Sequence, residues 1–163
     1  MNDVDTRRIT DRRAVHLATM EDFRAEVRRI AEAERQGRVR RSGNWTVPVI
    51  FNHLAAWMEY PFDGYPGKGP PWFVRILGRL MKHRVFKGPM RPGFRLPGVP
   101  GGTLGIEDGP LDRAESRVLA AIDRLNRQAP SAPNPVFGPL THDEWKKLNL
   151  GHGELHLSFL HPE

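Results

Sequence analysis

The sequence predicts an all-α fold: a bundle of four longer helices with one short basic helix and a long Gly/Pro-rich loop added to it. Three observations predict this. Five segments carry apolar residues at three- and four-residue spacing, no stretch shows the strand–helix alternation of a parallel sheet, and no internal repeat is present. At 163 residues the chain suits one domain able to bury roughly two thirds of the surface its unfolded form would expose. Residues 1–163 are therefore read as a single helical domain, with 1–18 as an N-terminal extension and 64–110 as a segment covering one end of the bundle.

The first helix begins near Thr19, an N-cap with Glu21 and Asp22 in the turn that follows, and shows Met20, Phe23, Val27, Ile30 and Ala31 on one face before Gly37 stops it. The second opens after Asn44, Trp45 and Thr46 with Pro48 in its first turn. It carries Val49, Ile50, His53, Leu54, Ala56 and Trp57 toward Tyr60, where Pro61 and Gly64 are expected to end it. Between 61 and 71, seven of eleven residues are Gly or Pro, so the chain turns there. A short basic helix over 72–85 follows, with Trp72, Phe73, Ile76, Leu77, Leu80 and Met81 on one side and Arg75, Arg79 and Lys82 flanking them. The apolar side is expected to pack inward. Across 84–110, twelve of 27 residues are Gly or Pro, too many for regular structure throughout, and loops of this length are often covers over a site. The fourth helix spans 111–128, with Leu111, Ala114, Val118, Leu119, Ile122 and Leu125 as its stripe and Pro130 closing it. Thr141 followed by Glu144 is a capping box that starts the last helix, which bears Trp145, Leu148, Asn149, His152, His156 and Phe159.

Composition narrows the chemistry. Hydrophobic residues at 39%, charged residues at 27% and a mean hydropathy of −0.53 describe a globular chain that is neither membrane-embedded nor disordered. With no cysteine there is no disulfide, no thiolate metal site and no cysteine nucleophile, so any metal must be held by His, Asp or Glu. The N-terminal MNDVDTRRITDRR lacks the layout of a signal peptide, and the apolar run 47–51 is broken by Pro48, so a cytoplasmic location is expected. The net charge of +6 is concentrated in 64–106, which hold eight Lys or Arg and no acid. Such a stretch is ordinarily a solvated face, but it could also meet phosphate, an acidic substrate or anionic lipid.

His152 and His156, four residues apart, fall about 40° apart around a helix, which stacks both imidazoles on one face. The zinc-protease pattern H-E-x-x-H is absent, because Glu154 lies two residues beyond His152 and about 200° away from the histidine face. The third candidate ligand is His53, set among Ile50, Leu54, Ala56 and Trp57 so as to face the bundle interior. A single such histidine is usually a satisfied core residue, but the pair on the last helix favours a shared metal. His16, His83, His142 and His161 lie at termini, helix ends or loops and are read as ordinary. No serine stands in a G-x-S-x-G context, and Gly101, Gly102 and Gly105 lack the preceding strand of a phosphate-binding loop.

The order Gly43-Asn44-Trp45, Asn52-His53-Leu54-Ala55, Phe137-Gly138-Pro139-Leu140-Thr141 with Glu144-Trp145, then His152 and His156-Leu157-Ser158-Phe159 resembles the DinB/YfiT-like superfamily over about residues 20–160. Within it, the chain is most similar to a bacterial domain family of unknown function. The resemblance implies a four-helix bundle with a divalent metal, nickel or zinc, on His53, His152 and His156. It also implies membership of a group that includes transferases and isomerases using low-molecular-weight thiols, and often forms homodimers. The residue before the last histidine is often a second His in such proteins and is Leu155 here. Three histidines with one open position are the pattern of a catalytic metal. Asn149, one turn before His152, and Tyr60, two turns after His53, are candidates for supporting the ligands from behind. Two function classes stay open. One is a metal-dependent enzyme acting on a small molecule, neutral or anionic, by thiol transfer or by hydrolysis. The other, the less expected, is a binding module that docks its basic 64–106 segment on anionic lipid or nucleic acid; a small-molecule substrate is the expected partner and neither membrane nor nucleic acid is, since Trp72 and Phe73 on the apolar side argue for packing over base stacking.

Overall fold

A computed structural model of the chain describes residues 4–67, 69–93 and 102–163; residues 1–3, Lys68 and 94–101, the last a part of the loop expected over the bundle end, lie outside them. The element order is α1 (Met20–Arg35), β1 (Val39–Arg41), α2 (Val47–Asp63), α3 (Trp72–Lys87), α4 (Leu111–Arg127), α5 (His142–Leu157) and β2 (Leu160–Pro162). The fold is all-α, with α1, α2, α4 and α5 enclosing one core.

The helix starts follow local chemistry. Thr19 and Asp22 form a reciprocal capping box on α1, as Thr141 and Glu144 do on α5. On α2, the Val49 N–H donates to Thr46 Oγ1 at 3.3 Å, with Pro48 in the first turn where its missing donor costs nothing. The core joins Phe23, Val27 and Ile30 of α1 to Ile50, Leu54 and Met58 of α2, Val118, Ile122 and Leu125 of α4, and Trp145 and Leu157 of α5. Each such aliphatic or aromatic side chain stabilises the fold by about 1.5–3 kcal/mol relative to exposure. The most extensive helix contact is α2 on α4, where Arg117 reaches Glu59 at 2.8 Å.

Three features differ from the sequence expectation. Pro61 does not end α2, which runs to Asp63; the ring removes one donor in the last turn, but Pro61 is buried and the Gly64 N–H still bonds Tyr60 O at 2.9 Å. A small antiparallel ribbon departs from the all-helical expectation: Val39 pairs with Pro162, Arg40 with His161 and Arg41 with Leu160. The Ser42 N–H extends it to Phe159 O at 3.0 Å. This ribbon ties the entry to α2 to the exit from α5, and Gly43 allows the close approach, since a Cβ there would lie 3.2 Å from the Phe159 ring.

The third difference is the roll of α3. Its half-buried positions are Val74, Gly78, Lys82 and Phe86, one every four residues, while Trp72, Phe73, Ile76, Leu77, Leu80 and Met81 face outward. The expected inward packing of that apolar side is thus reversed. The cause is local: at Gly78 the helix backbone lies so close to the 134–139 turn that a Cβ would sit 2.7 Å from Val136 O. Lys82 Nζ meets Glu144 at 2.8 Å, and the Phe86 and Phe137 rings meet edge to face.

Candidate metal centre

His53 lies on the inner face of α2 and is 2% exposed, while His152 and His156 stand one turn apart on α5, partly buried. One ring nitrogen from each histidine falls within 4.8 Å of the others. The Nε2 atoms of His53 and His152 are 3.2 Å apart, close to the separation of roughly 3.3 Å between two nitrogens bound tetrahedrally at zinc distances.

The loop after the undescribed stretch fixes the orientation of His53. Its Nδ1 is 2.8 Å from Leu104 O, and since a carbonyl only accepts, Nδ1 carries the proton and Nε2 presents a lone pair toward the other two rings. Residues 102–110 are held on α2 by further contacts. Asn52 Nδ2 donates to Glu107 O at 3.1 Å, Arg117 Nη1 pairs with Glu107 at 2.9 Å, and Gly105, at φ +73°, sits directly over Ala56. Behind α5, the absence of a Cβ at Gly153 lets the helix close on α1, where a Cβ would lie 2.8 Å from the buried Phe23 ring. Glu154 faces away from the cluster and accepts from the Leu17 N–H at 2.8 Å.

Aromatic rings wall the cluster. Trp45 stacks on His156 with centroids 5.3 Å apart and planes 6° apart, and meets His53 edge-on at 4.9 Å. Trp57 stands edge-on to His53 at 6.1 Å and to His152 at 5.9 Å. Burial holds the His53 imidazole down, to about 4, against the opposing effect of the Leu104 carbonyl. His152 and His156 are held well below 6.5 by burial first and by the neighbouring histidines second. All three are therefore neutral near pH 7, the form in which imidazole binds a metal.

The structure thus brings together the three histidines singled out by spacing. Asn149 is buried on α5, but its Nδ2 donates to Trp145 O at 2.9 Å, and Tyr60 packs against Trp57 and Tyr65. Burial raises the Tyr60 hydroxyl above its ordinary value. Sequence reasoning missed the Leu104 carbonyl, which has no side-chain signature, and the roles of Trp45 and Trp57 as walls. Trp57 Nε1 is the buried side-chain polar atom without a hydrogen-bond partner among the described residues. The remaining histidines have ordinary settings: His142 bonds Leu125 O at 2.6 Å and His161 bonds Ser42 Oγ at 3.2 Å.

Residues 9–163 match the family described as protein of unknown function (DUF1569). No curated protein and no solved structure matches the chain.

Proposed function

The chain belongs to the DUF1569 family, and from its own geometry we propose that it is a metal-dependent enzyme that holds one divalent ion, nickel or zinc, on His53, His152 and His156. The observation carrying this reading is the convergence of three neutral imidazoles from two helices, with ligand atoms within 4.8 Å and the tautomer of His53 set by Leu104 O. Nitrogen donors of this kind suit zinc and nickel, and three of them leave a position for an outside ligand. The motif order that resembles the DinB/YfiT-like superfamily supports the same assignment.

An ion bound here supplies Lewis acidity, lowering the pKa of a water or thiol presented to it. The protein's own residues do the rest. Leu104 O keeps His53 Nδ1 protonated, and the Trp45 and Trp57 rings restrict water around the imidazoles. Trp57 Nε1–H is buried without a partner among the described residues, at a cost of about 1–3 kcal/mol. Since the chain has no cysteine, any thiol must arrive as a cosubstrate, and we read the activity as thiol-dependent transfer to a small electrophile, with metal-assisted hydrolysis as the second possibility.

Metal-loaded protein incubated with a panel of low-molecular-weight thiols and a reactive electrophile, beside His156→Ala, tests the reaction. A thiol-dependent rate lost in the variant supports transfer. Equal rates for both proteins with every thiol would eliminate it and leave hydrolysis to be tried with ester and amide substrates.

A further inference from the structure

We propose that the outward face of α3 is a docking surface for an anionic lipid bilayer, with the helix lying in the plane of the headgroups. Six of the eight large hydrophobic side chains exposed among the described residues are on this one helix, with Trp72 72% and Leu80 77% exposed. At about 100° per residue they cover roughly half the helix circumference, opposite the stripe of Val74, Gly78, Lys82 and Phe86 that seats α3 on the protein. The seating is complete without the apolar face, since Gly78 packs on Val136, Lys82 pairs with Glu144 and Phe86 meets Phe137.

Charge identifies the occupant. The 64–106 stretch contains eight Lys or Arg and no acid, and Arg75, Arg79 and Arg84 are exposed on α3 itself. A second copy docking by the same face would set these arginines against their like with no acid on the helix to answer them, whereas an anionic bilayer answers both the charge and the apolar face. Nucleic acid answers only the charge. A helix with aromatic and aliphatic residues on one side and Arg on its flanks lies in the interface, Trp72 suits the headgroup level, and no described helix is long and apolar enough to cross a membrane.

Sedimentation of the full chain with vesicles of equal parts phosphatidylglycerol and phosphatidylcholine tests the proposal, beside vesicles of phosphatidylcholine alone. The chain is expected to pellet with the anionic vesicles at low salt, to bind the neutral ones at least about tenfold more weakly, and to be released at about 1 M salt, where charges are screened within about 3 Å. Leu80→Glu removes a leucine that the bilayer would bury and adds a repelled charge, so its partitioning falls on the order of a hundredfold, while circular dichroism shows an unchanged helical fold because Leu80 is 77% exposed. Failure to pellet at low salt, or equal pelleting of Leu80→Glu, overturns the proposal. So does a concentration-dependent dimer that Leu80→Glu abolishes in the absence of lipid binding, which would assign the face to a second copy.

Discussion

Replacing Gly105 with alanine separates the role of the loop at residues 102–110 from that of the histidines themselves. Gly105 has φ +73°, and a Cβ built on it would lie 2.7 Å from Ala56 Cβ and 3.4 Å from Tyr60 Oη. Ala56 is fully buried and has no flexible end to move aside. The left-handed backbone costs an alanine about 1–2 kcal/mol, and the overlap costs about 1–3 kcal/mol more if nothing shifts. The loop can instead lift from α2, which limits the global loss to about 2 kcal/mol, or about 4–8 °C in Tm for a domain of this size. Lifting draws Leu104 O, one residue away, from His53 Nδ1, where it now sits at 2.8 Å. Loss of such a partner behind a ligand costs about 10- to 100-fold in metal affinity. Competition titration with a chromophoric chelator measures that affinity, and a melt of the metal-free protein measures stability. A variant with both the Tm and the metal affinity of the wild type would refute the view that this loop sets the orientation of His53.

Other expectations follow from the same contacts. His53 is neutral in the fold and held at about 4, so the unfolded chain takes its proton first; metal-free stability is full above about pH 6.5 and falls as pH drops toward 4, by roughly 3 kcal/mol from this residue, which urea melts across that range will read. A stability independent of pH over that window would contradict a buried neutral His53. Thr141→Ala removes the capping box of α5 and should lower Tm by about 2–4 °C, for a loss of about 1 kcal/mol, with the metal site one helix length away largely unaffected. Arg117→Met breaks the pairs to Glu59 and Glu107 that join α2, α4 and the loop, and should lower the urea midpoint by the equivalent of about 1 kcal/mol; no change would show that these half-exposed pairs are solvated equally well apart.

What the sequence made legible is what short-range chemistry encodes. Thr19 with Asp22 and Thr141 with Glu144 mark two helix starts by side chains that reach only three residues, and the His152–His156 spacing fixes one face of a helix wherever that helix packs. His53 was legible because its neighbours at helical spacing are apolar and so define an inward face. Features that depend on distant partners were not legible. The ribbon pairs two three-residue segments more than a hundred residues apart, one of them rich in Arg, with no alternation to announce it. The carbonyl that orients His53 belongs to the backbone of Leu104, and every residue has one. The roll of α3 is the sharpest case. Its apolar stripe gave a clear period, but which side meets the protein was decided by the missing side chain at Gly78 and by Glu144, a residue on another helix.

X-ray absorption spectroscopy on protein loaded with zinc, beside the His53→Ala variant, reads the ligands of the bound ion. Ligation by His53, His152 and His156 requires about one ion per chain bound to three imidazole nitrogens at about 2.0–2.1 Å, and reduced imidazole scattering, with lower occupancy, in the variant. A wild-type ion with an oxygen-only shell, or an imidazole shell unchanged by His53→Ala, would contradict it.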